Sequence, residues 1–425
     1  MFDSPQERTR ALDAFLQGYQ GPAFSVRFPD EWQWFSSSAA TPQCTIVLKN
    51  SRALDAFFIS PNEITLGEAF IRGDLDVEGD IFSVFAVAEH LLNRSGTAPQ
   101  RISGTLLHTG LTLRRWIRLG ARHSQARDRA VVAHHYDQSV DFFRPWLGRT
   151  LAYSCALFRK PEDSLDRAQE EKFDLICRKL RLQPGERFLD VGCGWGGLIL
   201  HAARHYGVTA RGITLSRRQF EEASCRIRDN RLEDRCAVAL QDYRDLDPKL
   251  ESFDKIASVG MYEHVGLEKL PEYFHAIRRV LRPGGVFLNH GIARATKSSP
   301  RKNSFIDRYV FPDGRLVTLP EAMKAAEGEE LEIRDAENLR EHYEITLRRW
   351  VDGLQANAEA LLRLVSAESY RIWLLYMAGC AAAFHRGDIA VYQVLFSNPE
   401  HGESHLPLTR EDWYLSKRER ESVAA

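Results

Sequence analysis

The sequence predicts an α/β protein, with a doubly wound, Rossmann-like domain carrying lid helices and preceded by a small N-terminal α+β domain. Three observations carry that expectation. From about residue 134 onward, helix-like and strand-like segments alternate, which implies a parallel sheet with helical crossovers. A glycine-rich turn closes the first of those strands. The length of 425 residues exceeds what one core of typical size holds, so a large domain with a smaller companion is expected.

Taken in order, residues 1–95 form the expected accessory domain. Short β-like runs at Ala23 to Arg27 and Cys44 to Leu48 precede a helical stretch ending in IFSVFAVAEHLL. Within ITLGEAFIRGDLDVEGD, Gly67, Gly73 and Gly79 read as turn punctuation among acidic residues. Residues 96–133 read as a basic linker. There Arg114, Arg115, Arg118, Arg122, Arg127 and Arg129 surround Trp116, Ile117 and Leu119, a pattern suited either to an anionic lipid surface or to a solvated helix. Residues 134–425 form the expected catalytic domain. EEKFDLICRKL reads as an amphipathic helix, PGERFLDVG as a buried strand, GGLILHAARHY as a helix and TARGITLS as a second strand; FDKIASVG and GVFLNHGIA add two more. LPEYFHAIRRVLRPGG is a helix halted by Pro283, Gly284 and Gly285.

Bulk composition excludes several function classes. With 57 Lys+Arg against 58 Asp+Glu, no net field steers the chain to nucleic acid. Seven cysteines, at 44, 155, 177, 193, 225, 236 and 380, show no CxxC pair and no metal-ligand spacing. An odd count without pairing fits a reducing, cytoplasmic compartment. The start, MFDSPQERTR, lacks the pattern of a secretory signal, and no apolar run reaches the roughly 18–20 residues that span a bilayer. Membrane contact is therefore expected to be peripheral, at the inner face.

The strongest local signal is FLDVGCGWGG, in which Asp190 ends a strand and Gly192, Gly194 and Gly196 alternate before a helix. Glycine lets backbone approach a ligand closely. A dinucleotide site more often shows GxGxxG with an acidic residue ending the next strand. Here the next strand ends GITLS, offering Thr214 and then Gln219, and QDYRDL supplies Gln241, Asp242 and Tyr243 where an adenine would be covered. The pattern suits S-adenosylmethionine, which carries no phosphate.

The segments HHYDQSVDFFRPWLG, LAYSCALF, FLDVGCGWGG, ITLSRRQ, QDYRDL, SVGMYEHVG and HGI, in this order across residues 134 to 396, together resemble cyclopropane-fatty-acyl-phospholipid synthases, a family of class I methyltransferases. That resemblance implies that Tyr153, Ser154, Asp190, Gly192, Gly194, Gly196, Thr214, Gln219, Gln241, Asp242, Tyr243 and Arg244 hold S-adenosylmethionine. It implies that Cys155, Glu263, His290, the backbone of Ile292, and Tyr343 surround a bicarbonate, and that Cys380 matches a cysteine assigned to the active site. One departure stands out: His290-Gly291-Ile292 stands where members commonly read HTI. The resemblance further implies an unsaturated phospholipid substrate at a membrane surface and a homodimer.

The chemistry needs no protein nucleophile, because the alkene attacks the sulfonium methyl. It needs alignment, a dry cavity and a base. His290 and Tyr343 are expected to donate hydrogen bonds to the anion and Glu263 to accept its hydroxyl, whereas the ordinary readings of these residues are a helix cap and a satisfied core histidine. Asp137, with His135 and Tyr136, is a candidate for positioning the lid helices. In the insertion KNSFIDRYVFPDGRL, Tyr309, Phe311 and Pro312 are candidates for an acyl tunnel. Three alternatives stay open: a methyl- or methylene-branched chain formed without a ring, N-methylation of a small molecule, and a binding protein on a decayed fold.

Overall fold

The computed structural model describes residues 4–59, 61–94, 125, 138–297, 304–311 and 314–414. The chain divides into two compact units. The larger, spanning 114–300, 313–357 and 383–425, is built on a seven-stranded sheet. Its strands are β5 (Arg187–Val191), β6 (Thr209–Thr214), β7 (Cys236–Leu240), β8 (Phe253–Val259), β9 (Leu281–Arg294), β10 (Glu332–Asn338) and β11 (Ile389–Ser397). They lie in the order β10-β11-β9-β8-β5-β6-β7. Five run parallel from β7 to β9, and β11 pairs antiparallel with both β9 and β10.

This order fixes where a ligand binds. The chain moves outward from β5 through β6 to β7, then returns to place β8 on the other side of β5. Helices that leave β5 and β8 therefore diverge, opening a crevice beyond the carboxyl ends of those two strands. Phe188, Leu189 and Val191 of β5 and Ile256 and Ala257 of β8 are buried, as central parallel strands require. The helix Leu165–Leu180 is started by Ser164, whose hydroxyl accepts from Arg167 N, and stopped by Arg181 in the left-handed conformation at φ 52°. It packs Phe173, Ile176, Cys177 and Leu180 into the core against β8, β9 and the helix Gly197–Tyr206.

The smaller unit contains a four-stranded sheet of order β2-β1-β3-β4, built from β1 (Phe24–Arg27), β2 (Gln33–Phe35), β3 (Cys44–Leu48) and β4 (Leu75–Gly79). Two of its strands are the runs expected from sequence. Its extent is not: residues 1–113 are joined by 301–312 and 358–382, segments expected within the catalytic domain. The reason lies in long-range contacts. Glu63 Oε1 accepts from Phe305 N at 2.8 Å, the Tyr309 hydroxyl donates to Glu68 at 2.9 Å, and Arg371 pairs with Asp76 at 2.8 Å. Gly67 lies inside the helix Glu63–Ile71 rather than in a turn, and a Cβ there would come within 2.7 Å of the Phe305 ring. Within this unit the Tyr309 hydroxyl is held by Glu68 and Phe311 lies edge-on to Tyr376 at 5.9 Å, and both rings are half-buried.

Among the described residues no helix is long and apolar enough to cross a membrane. The basic linker apart from Gln125, the residues His135, Tyr136 and Asp137, and Pro312 lie outside the described residues.

Candidate active site

At the mouth of the crevice β5 turns through Gly192, Gly194 and Gly196, all with positive φ, into the helix Gly197–Tyr206. Gly192 has no room for a side chain, since a Cβ would meet Met261 at 2.9 Å. The loop forms one wall of a cleft with about 1130 Å³ of space including its open mouth. Of the residues expected to hold S-adenosylmethionine, Tyr153, Ser154, Asp190, Gly192, Gly194, Thr214, Gln219, Gln241, Tyr243 and Arg244 line it. Gly196 and Asp242 do not. Gly196 instead packs towards Ala223, and the buried Asp242 carboxylate accepts from the Arg244 guanidinium at 2.9 and 2.7 Å, aiming it. Thr214 donates to Gln219 Oε1 at 2.8 Å, and Gln241 Oε1 accepts from Arg211 at 2.6 Å. The strand end without an acidic residue is therefore closed by an amide network.

Two charged groups sit at the cleft floor. Asp190 is buried with Oδ1 lacking a hydrogen bond. Burial pushes its carboxyl up to about 7, against the pull of Lys172. Lys172, fully buried, donates to the Ser154 hydroxyl at 2.7 Å, and burial pulls its ammonium down to about 7 while Cys155 and Asp190 oppose the fall. Sequence reasoning missed Lys172, because in EEKFDLICRKL a lysine reads as the polar face of a surface helix.

The second cluster lies where β8 and β9 end. The segment after β8 splits its residues: Gly260, Met261, His264 and Val265 line the cleft, whereas Tyr262 and Glu263 engage β9. Glu263 Oε1 accepts from Ile292 N at 2.7 Å, and the Tyr262 hydroxyl donates to Ile292 O at 3.0 Å. The backbone of Ile292 is thereby held at both its polar groups. Gly291 makes this possible, because a Cβ there would fall 1.9 Å from the Tyr262 ring. The departure from HTI thus accompanies a tyrosine that occupies the space a side chain would need.

Burial pushes the Glu263 carboxyl up to about 7, although the Ile292 N–H favours the ionised form. Burial holds His290 well below the usual imidazole range, so it is neutral. Its Nδ1 faces Gln393 Nε2 at 3.1 Å. With the amide donating, the imidazole proton sits on Nε2, and among the described residues that N–H has no partner; neither has Glu263 Oε2. The Cys155 thiol faces two carbonyls, Ala156 O at 3.2 Å and Leu339 O at 3.8 Å, and the Leu339 oxygen also accepts from the backbone Tyr343 N at 3.1 Å. The structure thus links Glu263 to Ile292 directly, sets His290 two residues away on the same strand, and joins Cys155 to Tyr343 through Leu339. Burial pushes the Cys155 thiol far above its ordinary range, so it is a weak donor and not a thiolate.

Cys380, on the helix Ala367–Arg386, belongs to the smaller unit, while Glu263 and His290 belong to the larger. Burial pushes its thiol up to about 12. A protonated thiol offers no base at neutral pH. Cys380→Ala is expected to keep methyl transfer within about threefold of the parent rate, well short of the loss that removal of a general base causes; a thousandfold loss at unchanged melting temperature would assign the thiol a chemical role.

A sheet reversed at β5, a glycine loop at that reversal, and a cleft lined by Asp190, Thr214, Gln219 and Gln241 define an S-adenosylmethionine-dependent methyltransferase of class I. Comparison with known proteins narrows the class. The family model described as mycolic acid cyclopropane synthetase matches residues 123–394, and the chain belongs to that family. It is 40% identical to the "Probable fatty acid methyltransferase" of Pseudomonas putida over 88% of this chain and 92% of that one. It is 34% identical to the cyclopropane-fatty-acyl-phospholipid synthase of Escherichia coli K12, over 80% and 84%. Among solved structures, mycolic acid cyclopropane synthase CmaA1 complexed with SAH and CTAB aligns with TM-score 0.60 at 35% identity, covering 63% of this chain and 97% of that one.

Proposed function

We propose that this enzyme adds a methylene group across the cis double bond of an unsaturated phospholipid acyl chain at the inner membrane surface, with a bound bicarbonate as proton acceptor. One observation carries the reading: among the described residues two polar atoms, Glu263 Oε2 in the turn that follows β8 and His290 Nε2 on the adjacent β9, are buried without partners. Buried polar groups are rarely left so. One is an acceptor and the other a donor, the complement of a small anion that carries both a hydroxyl and free oxygens.

When bound, S-adenosylmethionine supplies an electrophilic methyl group and bicarbonate supplies a base. The protein does the rest. The glycine loop and the Thr214, Gln219 and Gln241 network hold the nucleoside end of the cofactor. Phe173, Trp195, Met261, Val259 and Val265 line the cleft with apolar surface that excludes water from a developing carbocation. Glu263 Oε2 would accept from the hydroxyl of such an anion and His290 Nε2 would donate to it, so that these two residues would hold the base. No side chain forms a covalent bond.

The test is to incubate the purified protein with S-adenosylmethionine and liposomes of defined unsaturated phospholipids, then to analyse released fatty acids by mass spectrometry and NMR. The expected result is a gain of one CH₂ with the NMR signature of a cyclopropane ring. The 40% identical relative is named a fatty acid methyltransferase, which favours a second reading, a branched or methylene chain. A methylene- or methyl-branched olefin, formed by loss of a different proton, has the mass of the ring and shows olefinic signals instead. Labelling confined to a soluble amine would overturn both.

A further inference from the structure

We infer that Lys172, acting through the Ser154 hydroxyl, is the positioning residue for the amino-acid carboxylate of S-adenosylmethionine. The inference begins from an ammonium short of acceptors. Lys172 has three N–H donors and is buried completely, yet its one hydrogen bond among the described residues is to Ser154 Oγ, at 2.7 Å. The Phe173 ring, 4.4 Å from Nζ, adds a cation–π contact and no acceptor. Asp190 supplies a nearby negative charge but no hydrogen bond to it among the described residues, so the remaining N–H groups of a buried ammonium still lack acceptors, which is costly.

The direction of the bond determines what Ser154 does. An ammonium cannot accept, so Ser154 Oγ accepts from Lys172, and the hydroxyl proton is left to donate elsewhere. Among the described residues the hydroxyl makes no second hydrogen bond, and both residues line the cofactor cleft. The cleft floor therefore presents a charge-backed O–H together with spare ammonium protons. Beside them Asp190 Oδ1 stands without a donor. A cation-backed donor next to a vacant carboxylate oxygen is the complement of an α-amino acid, with its carboxylate at Ser154 and Lys172 and its ammonium at Asp190. Ser154 itself is held from behind, since Gln169 Nε2 donates to its carbonyl at 2.9 Å. The helix Leu165–Leu180 thus contributes to cofactor recognition without carrying any of the glycine loop.

The test compares two ligands by calorimetry on the full-length protein. S-Adenosylhomocysteine keeps the amino-acid arm; methylthioadenosine keeps the adenosine and the thioether and lacks that arm. Lys172→Met and Ser154→Ala are each expected to weaken S-adenosylhomocysteine about 10- to 100-fold, the range of a charge-assisted hydrogen bond, and to leave methylthioadenosine within about twofold. The double variant is expected to lose no more than the worse single one, because the two residues act in series. Equal losses for both ligands would show a merely structural role, and unchanged S-adenosylhomocysteine affinity would remove the role altogether; either overturns the inference. Should Lys172→Met not fold, Ser154→Ala alone decides, by the same selective loss or its absence. Failure of the parent protein to bind S-adenosylhomocysteine would instead strike at cofactor use itself.

Discussion

Glu263→Gln is expected to lower kcat about 10²- to 10⁴-fold, the span of general-base assistance, while S-adenosylhomocysteine affinity stays within about twofold. The split follows from position. Glu263 is turned to β9, where Oε1 accepts from Ile292 N, and it does not line the cofactor cleft although its neighbours Met261 and His264 do. Glutamine keeps the shape and one carbonyl acceptor but cannot carry the charge that holds a hydroxyl donor. The pH profile supplies an independent check. Burial raises Glu263 to about 7, so the carboxyl is protonated below that pH and ionised above it. Turnover that needs the ionised form therefore rises as pH passes upward through about 7; measured with saturating S-adenosylmethionine, so that Asp190 and Lys172, which also lie at about 7 on the cofactor cleft floor, weigh little on kcat, the limb should be lost in Glu263→Gln. His290 is neutral throughout this range and adds no limb of its own. A parent profile that falls through pH 7, or a variant that loses cofactor affinity and turnover in equal measure, would mean that Glu263 has another role.

Gly291→Ala is expected to be the most damaging single methyl group that can be added to this site. The new Cβ would lie 1.9 Å from Tyr262 Cε1 and 2.2 Å from Cδ1, atoms of a rigid buried ring rather than of a flexible chain end. Relief requires the ring to move, which breaks the bond of its hydroxyl to Ile292 O and disturbs the Ile292 N–H that Glu263 accepts. Overpacking of this kind costs about 1–3 kcal/mol of stability. Turnover should fall further than stability, because the displaced element carries Glu263. A double-mutant cycle reads the pair: in a Tyr262→Leu background Gly291→Ala should cost at least about 1 kcal/mol less than in the parent. Additive effects, measured by denaturant unfolding, would show that the two residues do not share this space.

How far the site was legible depended on how local its determinants are. The glycine loop could be read because strand end, glycines and helix start are contiguous, and each constrains the next. The amide network at Thr214, Gln219 and Gln241 was legible for a similar reason, as it sits at strand ends whose order the alternation predicts. For Asp242 and Gly196, expected at the cofactor, the structure shows a carboxylate paired with the Arg244 guanidinium and a glycine packed towards Ala223. Lys172 was invisible: helical periodicity placed it on a polar face, and only the packing of Leu165–Leu180 against β8 and β9 puts that face inside the protein.

By itself the sequence determined the class of sheet, the position of the cofactor loop and the chemistry of the residues that end β5, β6, β8 and β9, since alternation, turn residues and motif spacing are properties of short stretches of chain. Tertiary structure alone decided that residues 301–312 and 358–382 join the N-terminal unit, that Tyr262 fills the space left open by Gly291, and that a lysine is buried beneath Ser154. Each of these depends on two segments far apart in the chain meeting at a distance of a few ångströms. Burial, which sets both the charge state of a group and the cost of adding a methyl beside it, exists only once such segments have met.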